Sequence, residues 1–275
     1  MPELRSIPCE ANAPGLATVL PVTVALYGLG SHDAFLRTGN QRYYRQMMCA
    51  LRWLENHCVP LGEGIGWTND ISESGLKAPW FSGMVQGVAL SLFVRAHQLN
   101  GAGPWSRLAH QTWLGYHLPV EQGGFCRKVS LGVIYEEYPT PQLDCTFNGV
   151  CRGLIGLWEA GRSAIVPDAE ADFNLGLKGL RSYLAQFDHS GWSLYSLNQC
   201  LGRPFLASPY YQRCNAVLAQ VVGLMAEEPE FVRYGRRWQK SSRSIVRRIG
   251  FSIRIGLDRY MRAPSLLQSD ISKNQ

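Results

Sequence analysis

The sequence lacks several short patterns that assign chains to common classes of protein. Its 275 residues contain no C-x-x-C pair, and the eight cysteines and six histidines are scattered without zinc-ligand spacing. No N-x-S/T sequon occurs, and no apolar run approaches the roughly 20 residues that span a bilayer. Residues 1–14 lack the basic start and apolar core of a signal peptide. We therefore expect free thiols, no metal or other cofactor, and a cytoplasmic location.

Charge is also scarce, and it is unevenly distributed. Charged residues make up 17% of the chain and apolar residues 46%, which is enough apolar material for a sizeable core. Residues 233–262 hold ten basic residues and one acid, so this segment carries +9 while the whole chain carries +6. It could lie peripherally on an anionic membrane surface, bind a polyanionic glycan, or close the fold with its apolar side buried. Nucleic acid is not expected, because no recognised nucleic-acid module accompanies the charge.

Helical patterns recur along the chain at a period of roughly 65 residues. Stretches rich in small residues predict helices at 22–36, 83–99, 148–160 and 211–225. The first three are each followed by an amphipathic stretch and a glycine-aromatic turn, at 64–67, 123–125 and 190–192. The fourth is followed by a helical stretch at 231–248, and no proline interrupts 231–262.

Helix pairs repeated in this way indicate a solenoid or a closed ring. We predict one all-α domain, an (α/α) toroid of helical hairpins with short β or loop segments at one end, over residues 18–240. Residues 1–17 would form an N-terminal extension and residues 241–275 a basic C-terminal extension. A homodimer is compatible with this organisation.

The segment from Tyr135 to Pro141, with the sequence YEEYPTP, groups two carboxylates and two phenols just ahead of a predicted helix. Carboxylates and phenols are proton-transfer groups, and loops that lead into a helix of a rigid scaffold commonly carry catalytic residues. An acidic, aromatic surface loop is the alternative interpretation. Trp80 could stack on a sugar ring or pack in the core.

Seven segments of the chain, taken in order, resemble the C-terminal domain of D-glucuronyl C5-epimerases. They begin with PVTVALYGLG, WFSGMVQG, EEYPTP and FNG, and continue with GWSLY, ASPYY and FVRYGRRW. Together they cover about residues 18–240. The resemblance implies an (α/α) toroid and inversion at C5 of a uronic acid within an anionic polysaccharide such as heparosan.

This reaction removes a weakly acidic proton from the carbon next to a carboxylate. It therefore needs a proton-transfer group on each face of the sugar and a cationic or hydrogen-bonding group on the carboxylate. By the resemblance, Glu137, Tyr138, Tyr195 and Tyr211 are the catalytic candidates. Glu137 or one phenol would act as base, and another phenol would return the proton. Candidate substrate-binding residues are Trp80, Asn148, Asn198, Arg203 and Arg213.

The chain departs from the family pattern near two of these residues. Asn198 stands where the family has the arginine that is expected to hold the substrate carboxylate, and Gln212 and Asn215 replace two histidines. The family's following I-x-Q-L is also changed, to AVLA. Arg152, Arg203 or Arg213 could supply the missing charge, with Arg203 the first choice. A non-catalytic glycan-binding or assembly protein and a uronate lyase are therefore the alternative functions.

Overall fold

The computed structural model describes residues 10–13, 16–101, 103–198 and 205–262, with side chains from residue 19 to residue 256 inside those ranges. The described residues divide into two compact units. The first contains those up to Ala185 together with Asn198, and the second contains Gln186–Leu197 and those from Phe205 onward. The predicted boundaries at residues 17 and 240 stay a prediction.

Six helices in three successive hairpins build the first unit. They are α1 (Pro21–Thr38), α2 (Gln41–His57), α3 (Gly83–Asn100), α4 (Trp105–Leu114), α5 (Phe147–Arg162) and α6 (Ala169–Tyr183). Each even-numbered helix packs on the helix before it, and α3 also packs against both α1 and α5. Helix α3 is therefore buried along most of its length, whereas α2 buries one face through Met47, Ala50, Leu51 and Leu54.

Glycines bring α3 and α5 into backbone contact. A Cβ atom on Gly87 would lie 2.3 Å from the carbonyl oxygen of Arg152, and one on Gly156 would lie 2.3 Å from the carbonyl oxygen of Gly87. No real side chain tolerates such distances, so both positions require glycine. These two glycines let the backbones of α3 and α5 approach closely.

Short antiparallel hairpins follow α2, α4 and α6, at or next to the predicted glycine-aromatic turns. Those of the first unit are β3 (Val59–Leu61) with β4 (Gly64–Gly66), and β5 (Cys126–Val129) with β6 (Gly132–Tyr135). A further hairpin pairs β1 (Glu10–Ala13) with β2 (Leu16–Thr18). Strand β6 packs on α6, and its last residue, Tyr135, leads directly into Glu136 and the predicted site residue Glu137.

The second unit contains a three-stranded antiparallel sheet and three helices. Its elements are β7 (Asp188–His189), β8 (Trp192–Ser196), β9 (Phe205–Leu206), α7 (Pro209–Met225), α8 (Pro229–Arg243) and α9 (Ile245–Arg262). Helices α7 and α8 form a hairpin, and α9 packs on α8. The Trp192 indole nitrogen donates to the carbonyl oxygen of Ala207 at 2.8 Å, which fixes β8 beside the residues leading into α7.

The C-terminal helical region differs from the prediction, which treated 231–248 as one stretch. The helix breaks at Ser244, whose backbone is extended, with φ −78° and ψ 115°. The Ser244 hydroxyl then accepts a hydrogen bond from the Arg247 amide at 3.4 Å, as an N-cap does for a new helix. Serine competes for backbone hydrogen bonds in this way, so a break is possible without proline.

The described elements agree with an all-α fold, because helices carry the core and the strands form only short hairpins. Among the helices described, none is long and apolar enough to cross a membrane.

Candidate active site

Glu136 directly follows β6 and ties that strand to the loop before α5. Its carboxylate is wholly buried and accepts from Arg127 Nε at 2.7 Å and from the amides of Asp144 and Cys145 at 3.2 and 2.8 Å. Burial raises the Glu136 pKa to about 7, while the Arg127 guanidinium and the Cys145 amide act in the opposite direction. With this many donors, Glu136 organises the loop.

Arg127 extends the same network along the loop. From strand β5 its guanidinium donates to three successive backbone carbonyl oxygens, those of Thr140, Pro141 and Gln142. A planar guanidinium has five donors in a fixed arrangement, so one side chain can hold both a carboxylate and a turn. Arg127 therefore sets the path of the chain on either side of the Pro141 turn.

Glu137, the next residue, has a different environment. It is 8% exposed, and its bonded partners are neutral: the Asn148 amide nitrogen at 3.3 Å and the Tyr138 hydroxyl. Burial raises the Glu137 pKa to about 8, and the negative charges of Asp144 and Glu73 act in the same direction. A carboxyl group with such a pKa is a much stronger base than an ordinary glutamate and still titrates near neutral pH.

Tyr138 contacts both this carboxyl group and the ring of Trp80. Its hydroxyl lies 3.4 Å from Glu73 Oε1, and its ring packs on the Trp80 ring with centroids 5.5 Å apart. Trp80 is 8% exposed, and its indole nitrogen donates to the Ile71 carbonyl oxygen at 2.8 Å. Trp80 thus packs against Tyr138 and is largely buried, and its predicted sugar contact stays a prediction.

Helix α5 presents two polar groups that lack a hydrogen-bond partner within the described part of the chain. They are Asn148 Oδ1 and Arg152 Nε, both buried and separated by one helical turn. The positive charge of Arg152 lowers the Glu137 pKa, which counters part of the effect of burial. Buried polar groups without partners are uncommon in folded proteins, so both atoms are candidates for contact with a ligand.

Asn198 also belongs to the first unit. Its amide donates to Asp144 Oδ1 at 3.0 Å, and the other Asp144 oxygen accepts from the Thr146 hydroxyl. Asp144 is 3% exposed, so Asn198 reaches a buried carboxylate. Of the other site residues predicted in this unit, Glu137 is hydrogen-bonded to both Tyr138 and Asn148.

The two phenols predicted from later motifs lie together in the second unit. Tyr195 projects from β8 and Tyr211 from the first turn of α7, with ring centroids 4.8 Å apart in an edge-to-face arrangement. Phe205 packs on Tyr195 and Tyr210 packs on Tyr211. Ser208 fixes the start of α7 by accepting from the Tyr211 amide at 3.4 Å. Tyr195 and Tyr211 are both partly exposed, so this unit presents a phenol pair to solvent.

Gln212 and Asn215, for which the resemblance implies histidines, are internal to this unit and have no exposed surface. Gln212 accepts from the Ser193 amide and hydroxyl at 2.7 and 2.8 Å, and it donates to the Trp238 carbonyl oxygen at 3.0 Å. Asn215 donates to the Ser193 hydroxyl and the Leu194 carbonyl oxygen, both at 3.1 Å. These two side chains join α7 to β8 and α8.

Two arginines, Arg203 and Arg213, were predicted to bind the substrate. Arg213 is exposed on α7, whereas Arg203 lies outside the described residues. Sequence reasoning missed Arg127 and Asp144, which hold the ends of the loop around Glu136. The only sequence signal for them was their position: Arg127 lies ahead of the YEEYPTP segment, and Asp144 lies between that segment and FNG.

Comparison with known proteins agrees with these motifs. The chain is 24% identical over 193 residues to the protein "D-glucuronyl C5-epimerase" of Caenorhabditis elegans. That match covers 63% of this chain but 31% of the relative, so the chain spans about a third of the relative's length.

A solved structure, the "Crystal structure of D-mannose isomerase", aligns with a TM-score of 0.55 and 13% identity over 81% of this chain and 58% of that chain. At this identity the likeness bears on fold alone, and it confirms the predicted all-α fold class of the (α/α) toroid type. Residues 63–240, more than half of the chain, match the family model described as D-glucuronyl C5-epimerase C-terminus. This chain therefore belongs to the D-glucuronyl C5-epimerase C-terminal domain family.

Proposed function

We propose that this chain is an isomerase that inverts C5 of D-glucuronate units within an anionic, heparosan-like polysaccharide. Membership of the epimerase family supports the reaction class. The observation that carries the proposal is the environment of Glu137, a buried carboxyl group with neutral bonded partners and a pKa raised to about 8. Such a group can accept a proton from carbon more readily than an exposed glutamate can.

The proposed reaction removes one proton from C5 and adds one back on the opposite face, so the composition of the sugar is unchanged. A base takes the proton from C5, and the electron pair of the C–H bond delocalises into the neighbouring carboxylate. An acid then delivers a proton to the opposite face of C5, which inverts its configuration. In the proposal Glu137 serves one face, and a phenol, Tyr195 or Tyr211, serves the other. The phenol assignment is supported by the family motifs.

The intermediate carries additional negative charge on the sugar carboxylate, and a cation there would stabilise it. We assign this role to Arg152, whose Nε is buried without a partner among the described residues, one turn along α5 from Asn148. Asn148 Oδ1, likewise buried and unbonded within the described residues, is available to a sugar hydroxyl. Arg152 would thus supply the charge that Asn198 cannot.

Two alternative functions make different predictions. A non-catalytic glycan-binding or assembly protein would bind the polymer without exchanging its C5 proton. The residues that favour this alternative are Asn198, Gln212 and Asn215. The side chains of Gln212 and Asn215 are buried and bonded within their own unit, so their identity bears first on packing. A uronate lyase would instead eliminate from the same carbanion and leave an unsaturated sugar.

Incubation with heparosan in heavy water tests the proposal. We expect deuterium at C5 of the uronate, detected by NMR, together with formation of the C5 epimer. The Glu137→Gln variant should lose the exchange, because an amide cannot accept the proton. Absence of exchange in heparosan and in several other glucuronate polymers would refute the proposal. Ultraviolet absorbance from unsaturated uronate would identify a lyase instead.

A further inference from the structure

Helix α9 carries an exposed apolar stripe. Ile245, Val246, Ile249 and Ile253 are 70, 81, 57 and 58% exposed. At 3.6 residues per turn these four positions fall within about 100° of the helix circumference. Isolated exposed apolar residues are ordinary, but a contiguous stripe of this kind marks an interaction surface.

The opposite side of α9 is already used to attach the helix to its own unit. Phe251 stacks on the Trp192 ring with centroids 4.4 Å apart, and the Arg254 guanidinium lies 3.0 Å from His189 Nε2. Arg247 donates to the Ser241 hydroxyl at 2.8 Å and to the Ser190 carbonyl oxygen at 3.4 Å. The apolar stripe therefore faces away from the side that packs on β8 and α8.

A basic cavity lies beside the first turn of α9. It has a volume of about 640 Å³, and its lining includes Arg237, Lys240, Arg243 and Arg247 with three serines. Arg237 pairs with Asp188 at 3.1 Å. Among the described residues, no acidic side chain forms an ion pair with the other three. This end of the helix thus combines several uncompensated cations with serine hydroxyls that can donate to an oxyanion.

We propose that α9 lies in the surface of an anionic lipid bilayer, with its apolar stripe among the lipids and the basic cavity holding lipid phosphate. The combination of stripe and cations favours this ligand over others. A soluble polyanionic glycan would match the cations but leave the stripe in water. A second copy of the chain would cover the stripe but bring like charges together, because the exposed Arg248 borders it. Helix α9 would rest on the membrane, without crossing it.

Co-sedimentation of the full chain with phosphatidylcholine vesicles, with and without phosphatidylglycerol, tests this proposal. We expect binding to the anionic vesicles, weak binding to neutral vesicles, and weaker binding as salt is added. The variant Ile245→Ser/Ile249→Ser/Ile253→Ser should bind about tenfold more weakly or worse, because it removes three apolar side chains from the lipid. The variant Lys240→Ser/Arg243→Ser should lose roughly fivefold per charge.

A matched control separates the stripe from general surface hydrophobicity. Val217 and Leu224 on α7 are 51 and 70% exposed, so Val217→Ser/Leu224→Ser should bind like the parent chain. Circular dichroism checks that every variant is folded. The proposal fails if the parent chain ignores anionic vesicles or if the stripe variant binds them unchanged. It also fails if the stripe instead mediates a dimer, seen by sedimentation velocity, without vesicle binding. Epimerase activity does not enter the test, so its outcome is independent of the proposed function.

Discussion

A Cβ atom placed on Gly149 would lie 2.2 Å from Glu137 Oε2, so this carboxylate rests directly on the backbone of α5. We predict that Gly149→Ala displaces the carboxylate and lowers C5 exchange by about 100-fold, the effect expected when a catalytic group moves by roughly 1 Å. The added methyl group should also lower the free energy of unfolding by about 1–3 kcal/mol. Heavy-water exchange and urea denaturation measure the two effects.

Gly153, one turn further along α5, provides the control for this substitution. A Cβ atom there would meet no heavy atom closer than 3.4 Å, an ordinary contact distance. Gly153→Ala should therefore retain most of the exchange activity and the stability. Equal exchange activity of the two alanine variants would show that C5 exchange does not depend on the position of the Glu137 carboxylate.

The raised pKa of Glu137 makes folding depend on pH. Its pKa is about 8 in the folded chain and near the ordinary glutamate value of 4.5 when unfolded, so the folded state holds more protons between these values. The contribution to stability is complete below about pH 4.5 and is lost as pH rises toward 8, by up to about 1.4 kcal/mol per pH unit. Glu136 titrates in an overlapping range, since its pKa is about 7.

The Glu137→Gln variant isolates this contribution. Its stability should fall less steeply with pH than that of the parent chain, and the difference between the two should grow toward pH 8. Urea denaturation at several pH values between about 5 and 8 measures both slopes. Parallel slopes would mean that Glu137 has an ordinary pKa and is not an unusually strong base.

Arg152 is predicted to act on both the substrate carboxylate and Glu137. Arg152→Gln should lower kcat/KM for exchange by about 100- to 1,000-fold, the range for loss of one stabilising group at a developing charge. Since the Arg152 charge lowers the Glu137 pKa, the acidic limb of the pH–rate profile, which reports ionisation of this base, should also move to higher pH. Arg162→Gln, at an exposed position on the same helix, is the control and should change neither quantity. An unchanged profile in Arg152→Gln would rule out its influence on the base.

Gln212 is predicted to act through stability, because it bonds β8 to α8 from inside the second unit. Gln212→Ala would leave the Ser193 amide and the Trp238 carbonyl oxygen without this partner, at a cost of about 2–4 kcal/mol in unfolding free energy. Arg213→Ala alters the next residue, which is exposed, and should change the free energy of unfolding by no more than about 0.5 kcal/mol. Thermal denaturation of the two variants provides the comparison. Similar melting temperatures would contradict a structural role for Gln212.

Helix positions followed from the sequence because periodicity and small residues record which faces are buried. The predicted stretch 83–99 became α3 (Gly83–Asn100), and 211–225 became α7 (Pro209–Met225). The break at Ser244 was missed, since an extended serine that caps the next helix leaves no pattern in hydrophobicity. Glu137 could be identified from its motif, but its burial and its contact with Gly149 could not. Those properties arise because β6 and α5 pack together although a loop separates them in the sequence.

The phenol pair of the second unit allows a final, selective prediction. Tyr195→Phe and Tyr211→Phe each remove a hydroxyl but keep the rings that pack 4.8 Å apart. We expect melting temperatures close to that of the parent chain and a loss of exchange of about 100-fold or more in the variant that lacks the proton-transfer phenol. Tyr210→Phe, at the 65% exposed neighbour of Tyr211, is the control and should exchange normally. If both Tyr195→Phe and Tyr211→Phe keep full exchange, a group other than these phenols must serve the second face of the sugar.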